Sequence, residues 1–223
     1  MCGRFTLRAP AAVLAELFQL AEPPAWAPRY NIAPSQPAPA VVMLPGQQHR
    51  QFRLWRWGLI PSWAKDPAIG ARLINARAET AATKPAFRGA FRQRRCLVLA
   101  DGFYEWQRQG GRKQPFYIRL RDGRPFAFAG LWEQWEGPDG GAISSCALLT
   151  TAPNDIIRPL HDRMPVILGP RDYALWLDSD MQRADLLQPL LRSYPSEEMT
   201  AYPVSTRVND PGHETPACVD PLA

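Results

Sequence analysis

Between residues 96 and 151 the chain repeats one pattern: an apolar or alternating run of strand length, then a glycine-marked turn. The runs are Cys96–Trp106, Pro115–Leu120, Phe126–Trp135 and Ser145–Thr151, and the turns fall at Gly110-Gly111, Asp122-Gly123 and Gly140-Gly141. Glycine reverses a chain at little steric cost, so such runs read as consecutive paired strands. A centre of this kind demands a sheet, and the flanking sequence must cover it.

The flanks are mixed. After Pro10, the segment Ala11–Leu20 places Val13, Leu14, Leu17 and Phe18 at helical spacing, with Pro10 near the first turn. The proline-rich stretch Pro23–Pro39 reads as loop. Ala40–Leu44, Gln51–Trp57 and Ile74–Glu79 read as strands, and Ala86–Arg94 as a short helix with Phe87 and Phe91 on one face. Met164–Leu168 is a short strand, Arg171–Leu177 and Ala184–Leu191 are helices, and Ala201–Val208 is a last strand. No repeat or low-complexity linker divides the chain. The expected fold is α+β: one domain over residues 1–223, with a mixed or antiparallel, barrel-like β core and peripheral helices.

Composition narrows the class. With 46% hydrophobic and 21% charged residues in 223, the chain can bury a sizeable core. Its longest apolar stretches are too short to cross a bilayer, and the start MCGRFTLRAP lacks a signal-peptide core. Cys2, Cys96, Cys146 and Cys218 lie far apart, without zinc spacing. A membrane protein, a disulfide scaffold and a zinc-finger reader are therefore not expected. A reducing cytoplasm is, and no metal or cofactor. Net charge is +5, and 23 of the 26 basic residues are arginine, whose planar fork suits phosphate and aromatic faces. The accompanying richness in Ala and Pro points to GC-rich coding as the larger cause.

Cys2 is the most unusual placement. Removal of Met1 would leave an α-amine, with a reference pKa of about 7.7–8.0, beside a thiol of about 8.5. Such a 1,2-aminothiol condenses with an aldehyde to an imine, which the tethered thiol closes to a five-membered thiazolidine. The plainer reading is a tolerated cysteine in a frayed terminus. Glu105 lies among Phe103, Tyr104 and Trp106, surroundings that raise a carboxyl pKa and suit it to proton transfer, although outward-facing glutamates are commoner. Asn75, Arg77 and Glu79 alternate and should share a strand face. His161 and Arg163 precede an apolar strand, and a lone histidine is more often structural than catalytic. Arg53, Trp55, Arg56, Trp57, Trp63 and Lys65 interleave, as do Arg88, Arg92, Arg94 and Arg95 beyond them. That mixture holds single-stranded nucleic acid in some proteins, and in others divides into core rings and solvated charges.

Eight words of the sequence, MCGRFT, YNIAPSQ, RWGLIPSWAKD, INARAET, FRGAFRQRRCLVLADGFYEW, FAFAGLWEQW, LTTAPN and HDRMPVIL, occur in this order between Cys2 and Leu168, with weaker echoes at Val204–Asn209. Together they resemble the SOS response-associated peptidase family, abasic-site processing proteins that crosslink to DNA. The resemblance implies that Cys2 is the nucleophile, with Asn75, Glu105 and His161 lining its pocket. Arg4, Arg77 and Arg163 would hold flanking phosphates, while Trp57, Trp63, Trp106 and the loop Pro34, Ser35, Gln36 would grip or wedge the strand. The implied partner is single-stranded DNA carrying an abasic site, met at the replication machinery by a monomer. The implied chemistry is of lyase type, through a Schiff base, with a thiol peptidase activity beside it.

Two other readings fit the same residues. Glutamine amidotransferase domains with an N-terminal nucleophile also begin Met-Cys-Gly, but usually carry an aliphatic residue where this chain has Arg4. A non-catalytic module binding single-stranded DNA would keep its affinity after Cys2→Ala.

Overall fold

Gly110 and Gly111 both take positive φ, 53° and 83°. Two such residues form the tight turn whose twist matches paired strands, and Gln109 lies opposite Arg112 across it. The computed structural model describes residues 2–222, with side chains for all of these except Gln109 and Arg112. Met1, whose removal the sequence reading requires, lies outside the described residues.

The first half of the chain carries β1 (Phe5–Leu7), α1 (Ala11–Phe18), β2 (Arg29–Ile32), β3 (Pro37–Val42), β4 (Gln51–Trp57), β5 (Asn75–Arg77), α2 (Ala78–Ala81), α3 (Arg88–Gln93), β6 (Arg95–Ala100) and β7 (Gly102–Gln109). The second half carries β8 (Arg112–Leu120), β9 (Phe126–Glu136), β10 (Ala142–Thr151), β11 (Met164–Pro165), β12 (Ile167–Leu168), α4 (Tyr173–Leu177), α5 (Ala184–Leu187) and β13 (Met199–Pro203).

Strands β4, β3, β6, β9 and β10 form a ring. Its β4–β3, β3–β6, β6–β9 and β9–β10 seams are antiparallel. The closing seam is parallel, with Arg56 opposite Ser145 and Trp57 opposite Cys146. A second sheet runs β13-β8-β7-β1-β2. The rings of Phe5 and Phe103 meet Phe128 of the barrel edge-on, at 5.8 and 5.9 Å between centroids, so both sheets share one core. The architecture is α+β with a closed mixed barrel and peripheral helices, as the patterning predicts. Among the described residues no helix is long and apolar enough to cross a membrane.

Several local expectations need correction. Pro23–Pro39 is not all loop, since β2 pairs with β1 and β3 begins at Pro37. The prolines of β3 are tolerated because β6 pairs with that strand only at Ala40 and Val41. Cys96–Trp106 is two strands that part at Asp101, where the chain leaves the barrel for the second sheet. Ile74–Glu79 is extended only over Asn75–Arg77, and Glu79 sits in α2. The last strand is Met199–Pro203, after which Ser205 accepts a hydrogen bond from Arg207 N–H and starts a 3-10 turn over Thr206–Asn209. Nor is Arg95 a surface cation. It is buried and donates to the carbonyls of Phe91, Arg92, Trp176, Asp178 and Met181, pinning α3 and α4 to the barrel, and burial lowers its pKa to about 10.

Candidate active site

Pairing of β1 with β7 sets Phe5 opposite Phe103 and Thr6 opposite Gly102. One step toward the N-terminus, Tyr104 N–H donates to Arg4 O at 3.0 Å. The antiparallel register therefore runs the chain back toward Cys2 as β7 runs forward to Glu105 and Trp106. A buried network fixes that register. Thr6 Oγ1 donates to Asp101 Oδ1 at 2.5 Å and lies 2.8 Å from Tyr117 Oη.

Cys2 is fully buried, at 0% exposure, with its thiol 3.7 Å from Arg4 O. From the barrel side Asn75 Nδ2 donates to Cys2 O at 2.8 Å. Asn75 reaches it because β5 lies parallel to β10, opposite Leu148. The other amide atom, Asn75 Oδ1, is buried without a hydrogen-bond partner among the described residues.

Glu105 is 2% exposed and lines a cleft of about 690 Å³ together with Arg4, Trp106, Arg108, Lys113, Pro159, Leu160, His161 and Asn209. Burial pushes its carboxyl up to about 7. Burial also pushes the Cys2 thiol up, and the neighbouring Glu105 charge adds to the rise. The thiol is thus protonated at neutral pH and needs a proton acceptor when it attacks. Glu105 titrates near neutrality within electrostatic reach of that thiol, so it can exchange protons there.

His161 Nδ1 lies 3.0 Å from Arg163 N and 2.7 Å from Asp162 Oδ1. The two contacts ask for opposite forms of the ring: an N–H donates only to an unprotonated Nδ1, whereas an ion pair needs a protonated one. Burial lowers the pKa of His161 and the Asp162 side chain is 86% exposed, so the neutral ring accepting from Arg163 is favoured. Cys2, Asn75, Glu105 and His161 therefore converge, although they come from four separate stretches of sequence. Among the described residues no group of His, Cys, Asp and Glu is arranged to hold a metal.

The remaining expected site residues divide. Trp57 is fully buried, its indole N–H donating to Ile74 O at 2.9 Å, so it is a core residue and not a wedge for DNA. Alternation along β4 turns Trp55 and Trp57 inward and Arg56 outward. Trp63 is 59% exposed and lines a second, mostly apolar cleft of about 450 Å³ with Asn75 and Arg77. Trp106 lines the first cleft and donates to Asn209 Oδ1 at 2.7 Å. In the turn of Pro34, Ser35 and Gln36, Ser35 is exposed with φ 69°, while Gln36 Oε1 accepts from Ala33 N and Arg29.

Two of the three arginines are already engaged within the protein. Arg4 donates to Asn31 Oδ1, Val208 O and Asn209 O at 2.9, 2.7 and 3.2 Å. Arg163 makes a two-pronged pair with Glu79, both distances 2.8 Å, and holds that carboxyl below its ordinary pKa. Arg77 is exposed. The cleft also contains Arg108, Lys113 and Asn209, which are not among the expected site residues. Arg108 shares a strand with Glu105, Lys113 faces it across a two-glycine turn, and that hairpin register was the available signal.

A family model described as SOS response associated peptidase matches residues 1–211. The abasic site processing protein YoqW of Bacillus subtilis is 43% identical over 99% of this chain and 99% of its own length. The abasic site processing protein HMCES of Xenopus tropicalis is 35% identical over 86% of this chain and 65% of its own length. A crystal structure of a protein from Bacteroides thetaiotaomicron is similar over 100% of both chains, with TM-score 0.88 and 25% identity. Another, from Bordetella bronchiseptica, covers 92% of this chain with TM-score 0.77 and 28% identity.

Proposed function

This chain belongs to the SOS response associated peptidase family, and from that premise we propose that it processes abasic sites in single-stranded DNA by covalent attachment through Cys2. The reading is supported above all by the meeting of Cys2 with a buried carboxyl that titrates near neutrality.

Removal of Met1 frees the Cys2 amine. The ring-opened abasic sugar carries an aldehyde at C1′, which the amine attacks to give a carbinolamine. Protonated Glu105 donates to the departing hydroxyl, water leaves, and the resulting carboxylate takes the proton from nitrogen, so that an imine remains. The Cys2 thiol then adds to the imine carbon and its proton passes to the nitrogen by way of Glu105, closing a thiazolidine. Asn75 holds the Cys2 carbonyl and so orients the reacting residue. His161, a neutral ring in the same cleft, assists sugar ring opening and the reverse reaction. Loss of the imine removes the electron sink that drives β-elimination, so the strand stays whole. The peptidase part of the family description is assigned to the same thiol acting on the Met1–Cys2 bond.

The deciding experiment is incubation with single-stranded DNA bearing one abasic site, followed by denaturing electrophoresis. A shifted band that survives heating supports the reading, and its absence with Met1-free protein rejects it. Cys2→Ser keeps the amine and loses the thiol, so its adduct should be labile to heat. An equally durable adduct from that variant rules out the thiazolidine. Retention of Met1 in the intact mass of crosslinking protein rules out the amine mechanism.

A further inference from the structure

We propose that Arg108 and Lys113 form a clamp for a DNA phosphodiester at the mouth of the Glu105–His161 cleft. The proposal rests on the reading that this cleft takes a DNA strand, and adds to it where the backbone of that strand is held.

Arg108 lies on β7 directly opposite Lys113 on β8. Like charges facing each other across a sheet cost stability unless something neutralises them. Neither side chain forms a salt bridge among the described residues, although both line the same cleft as Glu105 and His161. The two-residue turn at Gly110-Gly111 fixes the distance between their strands, so the two cations are held in register before any ligand arrives. An arginine offers a bidentate fork and a lysine a point charge, a pairing suited to the two free oxygens of a phosphodiester. Arg108 is also felt by His161, whose pKa it helps to lower, which puts the clamp within electrostatic range of the reacting groups. Arg4 and Arg163 are engaged by Asn31 and Glu79, so the unpaired cations of this cleft are the ones available to a phosphate. Arg77 lines the second cleft and not this one.

The test is equilibrium binding to a single-stranded oligonucleotide carrying tetrahydrofuran in place of the abasic sugar, which offers no aldehyde and isolates the non-covalent step. Each phosphate contact on a single strand adds about 0.7 to the slope of log affinity against log salt, so R108A/K113A should lower that slope by about 1.4. Its affinity deficit should therefore shrink about sevenfold between about 50 and about 200 mM salt. R171A/R192A removes two arginines from a different cleft and should keep the native slope. A native slope in R108A/K113A, or an equal fall in the control, overturns the clamp. Because R108A/K113A also removes a like-charge pair from exposed strand positions, its melting temperature should not fall. Crosslinking of native protein to a true abasic site is measured alongside. If native protein crosslinks while R108A/K113A keeps the native slope, the clamp is wrong and the proposed function stands. If native protein binds without crosslinking, the proposed function is wrong and the slopes still decide the clamp. No binding by native protein overturns both.

Discussion

Glu105 carries two opposed effects in one side chain. Its carboxyl titrates at about 7 against an ordinary value of 4.5, a difference equivalent to about 3 kcal/mol. The sign follows from burial: the charged form is disfavoured in the folded state, so folding is penalised increasingly from pH 4.5 up to about 7 and by a constant amount above. Glu105→Gln should therefore melt higher than native protein at pH 8, with the gap closing by pH 5. The same substitution should slow adduct formation. For native protein the rate should fall above about pH 7 as Glu105 loses its proton, and fall at lower pH as the Cys2 amine, of reference pKa about 8, is protonated. Glu105→Gln should lose the upper limb, and stopped-time crosslinking across pH measures both limbs. The aromatic neighbours of Glu105 make a raised pKa legible in the sequence, but they do not tell which way the side chain faces. The resemblance alone carries Trp57 as a DNA wedge, whereas the alternation at the end of β4 turns it into the core. Nothing local in the sequence reveals Asn31, Val208 and Asn209, the long-range partners of Arg4.

At the scale of elements, the site depends on how three-residue β1 is held. Its register rests on the Thr6–Asp101–Tyr117 cluster, and Tyr117 packs so closely on β7 that a Cβ at Gly102 would lie 2.1 Å from the Tyr117 hydroxyl. Tyr117 is fully buried, so it cannot swing aside. Gly102→Ala should cost about 1–3 kcal/mol, seen as a lower denaturation midpoint, and should impair crosslinking beyond the loss of folded protein by shifting β1. Gly102→Ala with unchanged stability would show that the ring relaxes freely. Strands β4 and β9 are legible because their apolar and aromatic runs are long enough to stand out from the turns around them. Strands β2 and β5 are less legible, since each is short and owes its existence to pairing with β1 or β10 rather than to its own residues.

For the whole molecule, the shared aromatic core predicts cooperative unfolding. Phe128 touches Phe5, Phe103 and Phe126, and so ties the barrel to the second sheet. Phe128→Ala should cost about 3–5 kcal/mol and lower the stability of both sheets together, leaving one transition by tryptophan fluorescence and by far-ultraviolet dichroism. Two separated transitions would mean that the sheets melt independently. The barrel-like class was readable from glycine-spaced runs, but the parallel closing seam was not, because no local pattern records which distant strands become neighbours. That seam has a consequence for how the molecule is made. The barrel closes only when β10 has left the ribosome, and until then the Arg56–Trp57 edge of β4 keeps its backbone donors and acceptors open. A nascent chain stopped before Ala142 is therefore an open ribbon prone to stick to its neighbours, and refolding from denaturant should be slow for the same reason.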